Sequence, residues 1–245
     1  MSGLLVLASA CQPVVEGHAP VTIFAASSLI DVVADLNQAF CARDLACRVA
    51  VQTAGSQTLR MQIEQGAKAA LFASANHHHA QALAGQGLLG EPRLFARNRL
   101  VLISPKSAPV QWRDLPQVQR LGLGLPEVPI GAYSEALLQA AKHHFGAAYA
   151  QAVRQRIRRR EASVRLLRSR VELGGLDAAI VYASDAMNRE SLVAVEPPAP
   201  MQQRSELWIG KLASHDNEQA ADDWLAFLHG KKGSSILRKH GFDLP

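Results

Sequence analysis

Two places along the chain put a hydroxyl where a helix should begin. Ala26-Ser27-Ser28 follows a β-prone run at residues 21–25, and Ala54-Gly55-Ser56 follows another at residues 48–53. At such a junction the N–H groups of the first helical turn have no intrahelical acceptor, the serine hydroxyl adds a donor, and the positive end of the helix dipole points the same way. Open α/β sheets bind ligands beyond the carboxyl ends of their strands. The chemistry on offer is therefore capture of an anion by neutral donors. A single serine at a helix start is an ordinary N-cap; two such junctions in the first two β-α units of one sheet make a shared site the stronger reading.

Other reactive side chains carry less. Three imidazoles, His77-His78-His79, suit a transition metal by type, but three adjacent residues do not all face one ion on a regular helix or strand, so an exposed loop is expected. His143-His144 reads as helix surface. Arg154, Arg156, Arg158, Arg159, Arg160, Arg165, Arg168 and Arg170 form the strongest basic cluster. It lacks the interleaved aromatics of a nucleic-acid surface, and helical turns spread it over more than one face, so a solvated surface touching a membrane partner or anionic lipid is expected instead of nucleic acid. Glu161 and Asp185 have no acid–base partner at a recognisable spacing, and no Gly-x-Ser-x-Gly elbow, P-loop or His-Glu-x-x-His occurs. No enzyme activity, resident cofactor or directly ligated metal is expected.

The elements that must position the two junctions alternate in type. Helical spacing runs through Val32, Val33, Leu36 and Phe40, with Ser28 at the N-cap place and Asp31 three residues later in a capping-box-like pattern. Short buried strands are expected at 71–73, 100–103, 121–125, 178–182 and 207–212, and helices at 81–84, 133–145, 150–159, 166–171, 220–228 and 234–240. Glu196-Pro197-Pro198-Ala199-Pro200 is an extended breaker and the best internal linker. Strand–helix alternation argues for doubly wound α/β architecture. The 245 residues, 48% hydrophobic and only 5% aromatic, can fill two modest cores. A net charge of +5 spread over this length is mild. No apolar run reaches the roughly 18 residues of a spanning helix, and disordered, collagen-like and disulfide-scaffold classes are excluded.

Residues 1–10 read Met-Ser-Gly-Leu-Leu-Val-Leu-Ala-Ser-Ala, and Cys11 follows. This resembles a bacterial lipoprotein signal cleaved ahead of a lipid-bearing Cys11, and residues 1–19 are read as that segment; no basic residue precedes the apolar run, which is also short. A frayed apolar end or a first strand is the plain alternative. Cys41 and Cys47 flank a helix-to-strand turn, as either a short disulfide or two half-buried thiols; zinc is disfavoured by their spacing.

With these pieces in place the chain after Pro20 resembles the periplasmic molybdate-binding proteins of ABC importers, a type II periplasmic substrate-binding family. Phe24-Ala-Ala-Ser-Ser-Leu29 is similar to that family's opening strand and turn, and Gly55-Ser-Gln-Thr-Leu59 to its second serine motif. Leu71-Phe-Ala-Ser-Ala75 is similar to the family's next strand, and Asn98 through Pro105 to its first crossing segment. Pro126-Glu-Val-Pro-Ile-Gly-Ala-Tyr133 resembles the family's Pro-Gly-Tyr loop, and Asp177-Ala-Ala-Ile-Val-Tyr-Ala-Ser-Asp185 is the most specific match. The tail, Trp224 to Leu228 with Gly230 and then Lys239-His-Gly-Phe242, fits as well.

The resemblance implies two doubly wound α/β lobes joined by a two-segment hinge, with residues 20–98 plus 202–245 in lobe I and 99–201 in lobe II. By motif position it implies an oxyanion site of Ser28, Ser56, Ile130, Val164 and Tyr182, with molybdenum present only inside the bound oxyanion. It further implies a monomer, exported to the periplasm or the outer membrane face, that delivers molybdate or tungstate to an ABC importer permease and meets the membrane only through a lipid anchor. A fully deprotonated dianion offers acceptors only, so a shell of donors suits it, whereas protonated phosphate wants an acceptor the five positions lack. Smaller sulfate must be refused by pocket size.

Three residues depart from the family pattern: Ile130 where alanine is usual, and Ala70 and Asn76 at acidic positions. Ile130 keeps open a diverged paralogue binding another oxyanion or a small organic acid. An uncleaved N-terminus would favour a cytoplasmic ligand-sensing regulatory domain.

Overall fold

Burial of the first strand on both of its faces sets the architecture. In the computed structural model, which describes residues 20–43, 47–214 and 217–245, strand β1 (Val21–Ala26) points Val21, Ile23 and Ala25 to one face and Phe24 to the other. The first set packs against Leu29 and against Val32, Val33 and Leu36 of helix α1 (Ile30–Phe40); Phe24 packs against Leu59 and Ile63 of α2 (Ser56–Glu64). Strand β3 (Leu71–Ser74) repeats the pattern, with Leu71 and Ala73 on the α1 side and Phe72 on the α2 side. A sheet buried on both faces needs helices on both, which is the doubly wound solution. Strand β2 (Val49–Ala54) pairs in parallel on the other side of β1, and α3 (His77–Gly85) completes the α2 face.

Two long strands carry the chain between lobes. Strand β4 (Arg93–Pro105) pairs antiparallel with β9 (Arg204–Lys211) over Arg93 to Arg99, then with β7 (Ala178–Tyr182) from Leu100 to Ile103 and with β8 (Leu192–Val195) from Leu102 to Pro105. The result is one curled sheet in the order β2-β1-β3-β9-β4-β7-β5-β6, with β8 branching from β4. On the far side β5 (Leu121–Gly124) pairs in parallel with β7 and with β6 (Ile157–Glu161). Helices α4 (Pro129–Phe145), α5 (Ala147–Gln155), α6 (Val164–Glu172) and α7 (Ala183–Ala186) belong to this lobe, while α8 (Glu218–His229) and α9 (Lys231–Lys239) return to the first. The buried apolar residues fall into separate clusters: one draws on residues 100–201, the others on residues 21–96 and 207–242.

Several local expectations change. The helix expected over 150–159 stops at Gln155, and Arg158 and Arg159 instead lie on β6, at the end of the sheet's strand order. Arginine stems cover an exposed edge while their charges deter strand pairing with another molecule, so three arginines in a row suit that edge. β8 carries no strong sequence signal because only Leu192 of its four residues is buried. The histidines expected in an exposed loop start α3, where Asn76 caps the helix by accepting from His79 N at 3.1 Å; asparagine serves this role as well as aspartate. Cys41 and Cys47 are joined in a disulfide, with Cα atoms 5.3 Å apart. Cys11 and the rest of residues 1–19 lie outside the described residues.

Candidate functional site

Helix starts from both lobes meet at one small cavity. From lobe I come Ala26, Ser27 and Ser28 after β1, Gly55 and Ser56 after β2, and Ala75 after β3. From lobe II come Val128, Pro129 and Ile130 at the start of α4, Ala162, Ser163 and Val164 at the start of α6, and Tyr182 at the end of β7. All five residues singled out in the sequence, Ser28, Ser56, Ile130, Val164 and Tyr182, line this space. Gly55, Ser27 and Ser163 line it too; Ser163 caps α6 through a hydrogen bond from Leu166 N to its hydroxyl.

None of the described residues lining the cavity is charged. The hydroxyls of Ser28 and Tyr182 are buried without a hydrogen-bond partner. A buried hydroxyl left unpaired costs free energy, so two of them facing one cavity suit it to a solute that accepts hydrogen bonds. Ser28 is thus no helix cap: a 3-10 turn, Ser27–Leu29, precedes α1, whose N-cap is Leu29, and the serine side chain is free for the cavity. Ser56 Oγ accepts from Ala75 N at 3.1 Å, which fixes the oxygen and leaves its hydrogen to donate. The N–H groups of Ile130 and Val164 sit in first helical turns, where no intrahelical acceptor exists. Burial drives the Tyr182 phenol well above its ordinary pKa, so it stays a neutral donor.

Close backbone approach makes the geometry possible. A Cβ on Gly131 would stand 1.8 Å from Leu125 O, and one on Gly124 would stand 2.6 Å from Gly131 N and 2.7 Å from Ile130 Cγ2. The bare Gly124 therefore receives the branched side chain of Ile130, whose bulk would otherwise crowd the pocket. Across the cleft, Gln57 donates to Ala162 O at 3.2 Å, and a Cβ on Gly55 would press to 2.8 Å on that same oxygen. Tyr133, the last residue of the Pro-Gly-Tyr loop, accepts from Glu206 N at 3.1 Å, tying α4 to the crossing strand β9. Asn98, buried in β4, donates to Ser184 Oγ at 2.7 Å.

Apart from Tyr182, the titratable groups near the cleft stay out of the cavity lining. Asp185, one short turn beyond Tyr182, is fully buried, and that burial pushes its carboxyl up to about 7 against the pull of Arg168. Arg168 itself donates to the Asp185 carbonyl at 3.2 Å. The arginine cluster is spread over α5, β6 and α6, with Arg168 buried rather than solvated: Arg154 and Arg160 share Glu135, each at 2.7 Å, Arg170 pairs with Glu161, and Arg156 donates to Pro116 O at 2.7 Å.

Among the histidines, His79 is 4% exposed, and no group of three metal-ligating side chains exists among the described residues. Burial lowers its pKa to about 4, with Arg60 and His78 adding to the effect. Since the unfolded imidazole titrates near 6.5, the unfolded chain takes up a proton that the folded one refuses as pH falls from about 6.5 toward 4. Wild type is therefore expected to lose about 1–3 kcal/mol of stability over that window relative to His79→Leu. Urea unfolding of both proteins at neutral and mildly acidic pH tests this, and equal slopes would remove His79 as the cause.

Comparison with known proteins follows the same outline. The bacterial extracellular solute-binding protein family matches residues 21–243. The molybdate-binding protein ModA of Mycobacterium bovis is 29% identical over 236 residues, covering 94% of this chain and 87% of the relative. That of Haemophilus influenzae is 27% identical, covering 91% and 90%. The structure of the periplasmic molybdate-binding protein of Azotobacter vinelandii superposes with a TM-score of 0.79 at 22% identity, covering 92% of this chain and 99% of that one.

Proposed function

Because the chain belongs to the bacterial extracellular solute-binding protein family, we propose that it captures a tetrahedral oxyanion dianion, molybdate or tungstate, between its two lobes and hands it to the permease of an ABC importer. The observation that carries this reading is the set of neutral donors around an uncharged cavity, two of them unpaired hydroxyls. A dianion presenting only acceptors satisfies all of them, and their fixed dipoles stabilise its charge. No acceptor side chain stands ready for a protonated oxyanion among Ser28, Ser56, Ile130, Val164 and Tyr182, apart from hydroxyls that can also donate. Named relatives at 27–29% identity bind molybdate, which supports the choice of ligand.

Closure supplies the mechanism. Ser28 and Ser56 belong to lobe I, and Ile130, Val164 and Tyr182 to lobe II, so the full donor shell exists only when the lobes meet. Ligand binding then draws its differential energy from the closed state and shifts the equilibrium toward it. Nothing in this scheme makes or breaks a covalent bond: the proposed role is binding. The Cys41–Cys47 disulfide fits an oxidising compartment outside the cytoplasm. Among the described residues no helix is long and apolar enough to cross a membrane. Attachment through Cys11 remains part of the proposal.

Titration with a panel of oxyanions tests the reading. Molybdate and tungstate are expected to raise the melting temperature by several degrees at saturating concentration, sulfate much less, and phosphate not at all. Preference for sulfate, or for a small carboxylate, would favour the second reading, a diverged relative whose pocket Ile130 has reshaped.

A further inference from the structure

Asp31 lies on the first turn of α1, three residues past Ser28, and each of its carboxylate oxygens meets a different arginine from the opposite lobe. Arg165 Nη2 stands 2.6 Å from Oδ1, and Arg189 Nη2 stands 3.2 Å from Oδ2. Arg165 directly follows Val164, so the two helix starts beside Ser28 and Val164 supply Asp31 and Arg165, and Arg189 joins them from the segment between α7 and β8. None of the three lines the cavity. The other ion pairs noted above, Arg154 and Arg160 on Glu135 and Arg170 on Glu161, lie within one lobe and are indifferent to closure.

We propose that Asp31, gripped by Arg165 and Arg189, is a latch that holds the lobes shut: three positioning residues that govern how tightly the oxyanion is retained without touching it. The inference rests on the capture mechanism above. An exposed ion pair usually adds little to folding, and Asp31 is about half exposed, at 48% of its side chain. Here the pair can form only in the closed arrangement, so its whole contribution enters the open–closed equilibrium, and retention follows that equilibrium directly. Sharing one carboxylate between two guanidinium groups also removes the repulsion that Arg165 and Arg189 would otherwise exert on each other across the rim. Opening the cleft would leave both arginines on lobe II without this partner.

The test compares wild type with Asp31→Asn, Asp31→Arg and the charge swap Asp31→Arg/Arg165→Asp. Molybdate affinity is measured calorimetrically at low and high salt, and solution scattering records the radius of each unliganded protein. Asp31→Asn is expected to weaken binding roughly three- to tenfold and to lose most of the salt dependence that wild type shows. Asp31→Arg should weaken it further, and the swap should recover much of that loss. Wild-type affinity and salt dependence in Asp31→Asn would overturn the latch. If wild type takes up no molybdate, the capture reading fails on its own, and scattering still decides the latch: an expanded Asp31→Arg supports it, and a radius equal to wild type overturns it.

Discussion

Replacing Val164 with proline is expected to weaken oxyanion binding by about ten- to a hundredfold while leaving the fold intact, because the change deletes one N–H and little else. Val164 is the first residue of α6, a position where proline's fixed φ suits the helix and its missing N–H breaks no helical hydrogen bond. The residue before a proline must be extended, and Ser163 already is, with φ −144° and ψ 150°. Some packing is lost, since the valine side chain is buried. Val164→Ala supplies the control: it loses comparable packing yet keeps the N–H, and it should bind within a few-fold of wild type. Calorimetric titration of the pair with molybdate separates the two effects. Equal affinities for the proline and alanine variants would mean that this amide does not hold the anion.

Tyr182→Phe is expected to move affinity and stability apart. The phenol is buried at the end of β7 and bonds to no described protein group, so its removal strands no partner in the fold. The melting temperature without ligand should stay level or rise slightly. With ligand the hydroxyl donates to a buried dianion, a charge-assisted hydrogen bond, and its loss should cost roughly 1.5–3 kcal/mol, about ten- to a hundredfold in affinity. A variant that binds as well as wild type would show Tyr182 to be core packing with its hydroxyl idle. A variant that loses stability without ligand would show that the phenol holds the fold through a group not apparent in the structure.

Both predictions turn on residues whose types were readable early and whose arrangement was not. Serine after a β-prone run, followed by helical spacing, marks a strand-to-helix junction from local rules alone, and Ser56 sits in such a place at the head of α2. Ser28 carried the same signal and a capping-box companion in Asp31, yet neither caps α1. Local preference favours the cap; the tertiary fold gives Ser28 to the cavity and Asp31 to two arginines 134 and 158 residues away. Ile130 and Val164 have no side-chain signal at all, since any residue except proline supplies an N–H, and only motif resemblance pointed to them. The strand β6 was missed for a related reason: Ile-Arg-Arg-Arg-Glu has no apolar alternation, and its strand character comes from pairing with β5. His79 shows the reverse error, because a polar triplet looks exposed until α3 packs one of its three rings inward.

What the amino-acid order determined by itself was the alternation of short apolar runs with amphipathic stretches, and hence an α/β chain with helix starts at the carboxyl ends of its strands. Those features depend on neighbours a few residues away. The tertiary structure alone decided which helix starts share a cavity, that no charge enters it, and that Gly124 opposite Ile130 leaves space for the branched side chain. Such outcomes depend on distances between residues a hundred positions apart, and those are set when β4 and β9 cross between the lobes and bring two independently packed cores face to face.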